Sequence, residues 1–340
     1  FQPRLTLSSN YFAGHALVMG LEYCGDRLTS DRFVNHKMTS RTLEETEFYV
    51  QDDWTVNNHW MFSGGVRTNF SEAFGFMYMP KIAAKYSPDD YWAIRANYSM
   101  GYRSPSIKEL FFNWDHLGMF MIKGNEFLKP EKNNYVSAGV EYSNRHFFFN
   151  STLYGNFYRK KIEGVWRIYD MQYNFEYVNL DRQTIAGVDL LGRWTPTDWL
   201  TLNASYSYVY VSKEKGLRIN TTSPHAATAG VKYSYKNKRN YRLDAYFNAQ
   251  IMGEKQYDVQ DRVYVEKDGR SYDAYFRCTL PTYTLCNLNV AQTFREKIRL
   301  SVGVDNIFNY KPRTLGSGLT AFSVPATAGA RAYIQLEFKI

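Results

Sequence analysis

Alternation constrains this chain more than any other property. From Tyr241 to Ile251, Tyr241, Leu243, Ala245, Phe247, Ala249 and Ile251 share one face, while Arg242, Asp244, Tyr246, Asn248 and Gln250 share the other. Between Trp199 and Tyr210, Leu200, Leu202, Ala204, Tyr206 and Tyr208 oppose Thr201, Asn203, Ser205 and Ser207. Ile298, Leu300, Val302 and Val304 oppose Arg299, Ser301 and Asp305. At the end of the chain Ala332, Ile334, Leu336, Phe338 and Ile340 oppose Arg331, Tyr333, Gln335, Glu337 and Lys339. A period of two is the mark of a strand that meets two different environments. No helical period runs longer than about two turns.

The pattern predicts fifteen strands, at 3–9, 15–26, 44–55, 60–71, 79–87, 91–103, 134–143, 147–160, 179–195, 199–212, 225–235, 241–254, 280–293, 297–307 and 328–340. Short turns near 10–14, 56–59, 88–90, 144–146, 196–198, 236–240 and 294–296 alternate with long loops near 27–43, 72–78, 104–133, 161–178, 213–224, 255–279 and 308–327. A soluble sandwich gives no reason for that rhythm. A transmembrane barrel does, with short periplasmic turns and long extracellular loops. Many segments are longer than the ~5–6 residues usual in globular sheets and reach the ~9–11 that a tilted membrane strand needs. Trp54, Trp60, Trp92, Phe147, Trp199, Tyr241 and Phe294 all fall beside short turns, as an interfacial girdle would.

Mean hydropathy is −0.47, and no apolar run approaches the ~18 residues of a spanning helix. Alternating strands cancel in such an average, so a membrane barrel remains open. One face then meets lipid and the other lines a lumen, and backbone groups in lipid require the sheet to close. Fifteen antiparallel strands do not close in the usual even-numbered way. The expectation is therefore that strands are missing at the amino end and that 1–340 is part of a longer barrel. Phe1-Gln2-Pro3-Arg4-Leu5 is no signal peptide, since it has neither a basic nor an apolar region.

The net charge of +8 suits a solvated basic surface or attraction to anionic ligands. Basic residues are dispersed, which does not support nucleic-acid binding. Three cysteines, Cys24, Cys278 and Cys286, are too few and too odd for a disulfide framework, and a Cys278–Cys286 pair is left open. No nucleophile elbow, P-loop, His-Glu-x-x-His or Cys-x-x-Cys occurs. The acidic run Glu44, Glu45, Glu47, Asp52 and Asp53 is split between two faces by its period, so no enzyme is expected.

The longest excursion between strands is Gly101 to Glu131. It opens with Tyr102-Arg103-Ser104-Pro105, closes with Asn125-Glu126-Phe127-Leu128, and holds a single histidine, His116. Pro105 suits the end of a strand, where a ladder hydrogen bond is lost. Phe111, Phe112, Trp114 and Phe120 could pack a flat ligand or form a loop core of their own. Met119 and Met121 add polarizable contacts. His116 is a possible metal donor, and also an ordinary loop-packing residue. His15, His59 and His146 sit at short turns, and His36 and His225 at or near long loops. Loop tyrosines such as Tyr169, Tyr173, Tyr177, Tyr257, Tyr264, Tyr272 and Tyr275 carry little weight in a chain with 29 tyrosines.

Glu47 to Trp54 followed by Gly65-Val66-Arg67, together with Gly303 to Asn309 and the last strand, resemble the carboxyl-terminal part of the TonB-dependent outer-membrane receptors. The resemblance covers essentially all of the chain. It implies a multi-pass barrel of about 22 strands, of which about 15 are present here, with an amino-terminal plug that this sequence lacks. It implies localisation in the outer membrane, TonB as partner through that plug, and import of a scarce nutrient. The long loop is similar to that of haem receptors, which carry a Phe/Tyr-Arg-Ala-Pro box, an Asn-Pro-Asx-Leu box and a histidine between them. Here Ser104 replaces the Ala and the second box lacks its Pro. On that likeness haem is the cargo, with His116 on the iron, Arg103 or Lys123 on the propionates, and Tyr102, Trp114, Met119, Met121 and Asn125 around it. Ser104 to Leu110 and Leu128 to Glu131 also look like elements of cobalamin and ferric-siderophore receptors. These remain alternatives, a passive porin is a weaker one, and a lipoprotein that delivers ligand is a conceivable partner.

Overall fold

A computed structural model describes the chain apart from residues 11, 34–36, 119, 170–171, 213–222, 238–239, 266–269, 312, 316–321, 325–326 and 340, and apart from the side chains within 168–173, 257–277 and 312–326. The elements in order are β1 (Arg4–Ser9), β2 (His15–Ser30), β3 (Thr39–Thr55), β4 (Trp60–Ser71), β5 (Gly75–Tyr86), β6 (Trp92–Arg103), α1 (Ile107–Phe111), β7 (Asn113–His116), β8 (Phe120–Lys123), β9 (Glu131–Ser143) and β10 (Phe147–Tyr169). They continue with β11 (Gln172–Thr197), β12 (Leu200–Val211), β13 (His225–Lys236), β14 (Tyr241–Met252), β15 (Lys255–Val265), β16 (Arg270–Leu280), β17 (Tyr283–Phe294), β18 (Ile298–Asp305), β19 (Arg313–Leu315), β20 (Phe322–Val324) and β21 (Arg331–Phe338).

Fifteen strands build one wall. The order β1-β2-β3-β4-β5-β6-β9-β10-β11-β12-β13-β14-β17-β18-β21 is antiparallel throughout, each strand bonded to the next. Each corresponds to one of the fifteen strands expected from alternation. Among the described residues β1 and β21 pair on one side only. Among the described residues no helix is long and apolar enough to cross a membrane.

Several segments expected as long loops are strand instead. β10 and β11 stay paired from Phe147↔Trp194 up to Tyr169↔Gln172, through the stretch 161–178. At ~3.3 Å per residue the 23 residues of β10 reach roughly 75 Å, far beyond a membrane crossing. Likewise β2 and β3 remain in register up to Ser30↔Thr39, residues 72–78 shrink to a three-residue turn between Ser71 and Gly75, and β15 and β16 form a hairpin within 255–279. Above the bilayer neither face meets hydrocarbon. Alternation nevertheless continues with the backbone pairing, Ile162, Gly164, Trp166 and Ile168 opposing Lys161, Glu163 and Arg167.

The outward face is apolar and open: Phe48 is 48% exposed, Ile82 62%, Leu153 60% and Ile334 76%. A water-soluble monomer does not keep so continuous a greasy surface, and among the described residues no second sheet covers it. The inward face is polar. Glu22, on the same face as its register partners Arg4 and Glu47, is bonded to Arg4 at 2.8 Å and Arg67 at 3.5 Å. Cross-strand aromatic pairs mark the short-turn end: Trp60–Tyr86 at 4.5 Å, Trp92–Tyr142 at 4.8 Å, Trp199–Tyr233 at 5.6 Å and Tyr241–Phe294 at 5.4 Å. His59 and His146 fasten the turns through Nδ1 contacts with the Ser87 and Thr195 carbonyls, at 2.7 and 3.0 Å. Cys24, Cys278 and Cys286 are all free thiols.

Candidate functional site

The long excursion folds into a layer inside the mouth. Pro105 leads into Ser106, which caps α1 with a reciprocal box: Glu109 N–H donates to Ser106 Oγ (3.3 Å) and Ser106 N–H to Glu109 Oε2 (2.8 Å). Such a box satisfies two free donors at a helix start. After α1 the chain makes the β7–β8 hairpin, pairing Asn113↔Lys123 to His116↔Phe120. β8 then runs parallel to β11, pairing Asn174↔Met121 to Glu176↔Lys123. It is the one parallel pairing among the described residues, and it stitches the loop to the wall. On leaving β8 the chain passes so close to α1 that a Cβ on Gly124 would lie 2.7 Å from the Leu110 carbonyl oxygen.

Leu110, Leu128 and Ile162 form the buried hydrophobic cluster, with Leu43, Phe74, Phe111 and Tyr177 around it. It lies between the loop and the extended strands, not inside the wall. Phe33, 1% exposed, enters from the β2–β3 connection, bridges to Phe112 and packs edge-on against Phe111.

The two sequence boxes are the seams of this layer. Arg103 Nη1 donates to Glu109 Oε1 and Oε2 at 3.1 and 3.0 Å, and Nη2 to Glu131 at 3.4 Å. Burial alone would lower the pKa of this guanidinium. Its hydrogen bonds to the Glu109 and Glu131 carboxylates outweigh burial and leave it raised. Tyr102 Oη lies 3.1 Å from Ser104 Oγ, which also touches the Glu45 carboxylate. Asn125 donates through Nδ2 to the Tyr177 carbonyl (3.1 Å), accepts from Phe127 N–H (3.0 Å), and donates its own N–H to the Glu109 carbonyl (2.8 Å). Arg103 and Asn125 thus hold the loop to itself and to β11.

His116 stacks on Phe120 at 4.8 Å and meets Trp114 edge-on at 5.0 Å. The ring series runs on through Trp166 and Phe175 to Tyr177, each step 5.0–5.3 Å. The buried atoms His116 Nδ1 and Trp114 Nε1 have no hydrogen-bond partner. The hairpin register puts Trp114, His116, Phe120 and Ile122 on one face and Asp115, Met121 and Lys123 on the other, since neighbouring residues of a strand point oppositely. Trp114 and His116 are therefore brought together, and Met121 is directed away from both. Met119 and His36 lie outside the described residues. His225 bonds Tyr206 Oη through Nδ1 at 2.8 Å, on another part of the wall.

Sequence reasoning missed Asn179, Arg32 and Arg41. Asn179 accepts from Lys129 N–H and donates to the Lys129 and Lys160 carbonyls, at 2.7–2.8 Å. Nothing in its neighbourhood signals this. The guanidinium of Arg32 lies 4.2 Å above the Trp114 ring, and that of Arg41 lies 4.6 Å from Phe111. The mouth thus presents cations over aromatic rings, a pairing favourable in itself and suited to flat, anionic guests. No group of metal-ligating His, Cys, Asp or Glu forms among the described residues.

The family description "TonB dependent receptor-like, beta-barrel" matches residues 1–307. The chain belongs to that family. This TonB-dependent receptor barrel is accordingly a multi-stranded outer-membrane protein of a non-catalytic family. It is 22% identical over 317 residues to the iron-regulated outer membrane virulence protein of Vibrio cholerae, covering 87% of this chain and 45% of that one. It is 24% identical over 250 residues to the probable hemoglobin and hemoglobin-haptoglobin-binding protein 4 of Haemophilus influenzae, covering 68% and 24%. Its fold matches the ferric enterobactin receptor of Pseudomonas aeruginosa, solved with enterobactin, at a TM-score of 0.80 and 16% identity over 99% of this chain and 54% of that one. The chain spans about half the length of the Vibrio relative and of the Pseudomonas receptor, and 24% of the Haemophilus one.

Proposed function

We propose that this barrel is the membrane wall and ligand mouth of a TonB-coupled importer of ferric chelates, anionic complexes of the siderophore kind. In the whole protein a plug would occupy the lumen and pass TonB's pull to the bound cargo. The carrying observation is the cation–aromatic lining at Arg32–Trp114, which suits a guest with flat rings and negative charge. Among the relatives, one is named iron-regulated, one a ferric enterobactin receptor and one hemoglobin-binding. The haem alternative draws support from the haemoglobin-binding relatives and from His116 itself. It is disfavoured because Arg103 is held by two carboxylates and because Met121 and His116 point to opposite faces.

The test is titration of the full-length receptor with a ferric tris-catecholate and, separately, with haem. Binding of the catecholate, read by tryptophan quenching, is expected to weaken about tenfold in Arg32→Ala, the size of a desolvated cation–π contact. Haem is expected to give no Soret shift. A shift that disappears in His116→Ala would overturn this reading in favour of haem.

A further inference from the structure

One carboxylate breaks the outward apolar pattern. Asp52 shares its face of β3 with Phe48, Val50 and Trp54, and its register partners are Leu17 on β2 and Gly64 on β4. That face meets lipid. A charge there is unfavourable unless something compensates it, less so towards the interface than at the midplane. Among the described residues Asp52 has one compensating group: His15 Nδ1 lies 2.7 Å from Oδ2, and Oδ1 has no hydrogen-bond partner.

The surroundings form a shallow recess. The His15 ring stacks on Trp54 at 5.5 Å with planes 7° apart. Trp54 leans on Phe62 at 6.2 Å, and Phe62 stacks on Trp60 at 5.7 Å. Beside Asp52 the wall is notched, because a Cβ on Gly64 would meet nothing within 4 Å. Trp54 belongs to the aromatic girdle at the short-turn end. Asp52 lies two residues further into the strand, about 7 Å, at the boundary between headgroups and acyl chains.

We propose that this recess binds the headgroup of a phospholipid ending in a primary ammonium, of the phosphatidylethanolamine type. The ammonium donates to Asp52 Oδ2, since Oδ1 is sealed from solvent while the side chain as a whole is 36% exposed, and it rests against the rings of Trp54 and Phe62, as cations do on aromatic rings. The phosphate meets the His15 ring at the edge away from Asp52. Carboxylate and imidazole stand in the order that a zwitterion needs, while an anionic headgroup without an ammonium is repelled by Asp52.

The experiment is native mass spectrometry of the full-length receptor, titrated with phosphatidylethanolamine, phosphatidylcholine or phosphatidylglycerol of identical acyl chains. Phosphatidylethanolamine is expected to be retained about tenfold over phosphatidylglycerol. Phosphatidylcholine, which has no N–H to donate, should fall between them. Asp52→Asn should abolish the preference and Asp53→Asn, on the inward face, should leave it intact. Gly64→Leu, whose Cβ meets nothing within 4 Å, supplies a second route should Asp52→Asn fail to assemble, and should also abolish it. Equal retention of the three lipids by the unaltered receptor, or a preference that survives both Asp52→Asn and Gly64→Leu, would overturn the proposal.

Discussion

Replacing Arg103 by Met tests whether the first sequence box is a seam or a ligand contact. The substitution keeps most of the side-chain volume and removes the charge. Glu109 and Glu131 are then left with side chains 16% and 15% exposed and no cation between them, whereas Arg103 itself is 44% exposed. Removing one partner of a fully buried pair costs about 3–5 kcal/mol, and an exposed pair is worth about 0–1 kcal/mol. Arg103 lies between these limits, so about 2 kcal/mol is expected. The loss falls on the loop alone, because the wall strands keep their ladders. Local opening of 104–130 should become about 30-fold more frequent, at one decade per ~1.4 kcal/mol. Amide hydrogen exchange of the receptor in micelles reads this peptide by peptide. Glu109→Gln should partly restore protection, since it removes one stranded charge. Protection of the loop unchanged within about threefold, or a loss spread evenly over β9 and β10, would refute the reasoning.

Two further outcomes follow from packing. Leu110→Ala empties the centre of the loop's cluster; such a deletion costs about 2–5 kcal/mol, and limited proteolysis should cut between β6 and β9 while the barrel remains heat-modifiable on gels. Gly20→Val places a Cβ 2.6 Å from the Leu5 carbonyl oxygen, so β1 must part from β2, and the heat-modifiable band should be lost or displaced.

The wall was legible because hydrocarbon enforces a rule at every second residue. Tyr241–Met252 could be read almost to its ends for that reason. The same alternation runs on beyond the bilayer: Ile162, Gly164, Trp166 and Ile168 oppose Lys161, Glu163 and Arg167, and Tyr173, Phe175 and Tyr177 oppose Gln172, Asn174 and Glu176, so these paired strands carry a strand signature, and only the expectation that strands stop at the membrane edge makes them loops. The loop was legible as a place and not as a shape. Ser106-x-x-Glu109 is a capping signature that was available in the sequence and marks α1. The β8–β11 pairing has no such signature, since a backbone partnership carries no residue preference strong enough to see. Arg103 and Asn125 stand out in the sequence as candidate ligand contacts, but a residue that clasps its own chain and one that clasps a guest look the same in a sequence. Register, by contrast, separates His116 from Met121 at once.

The parallel union of β8 with β11 restricts how the loop over the mouth can move. A flap that merely rested on the wall could yield gradually, by fractions of an ångström. One that is zipped along it can keep the same side chains inward only by sliding two residues at a time, about 7 Å, or by unzipping altogether. The mouth is thus a latch with discrete stops, and whatever releases it must supply its work in a single stroke.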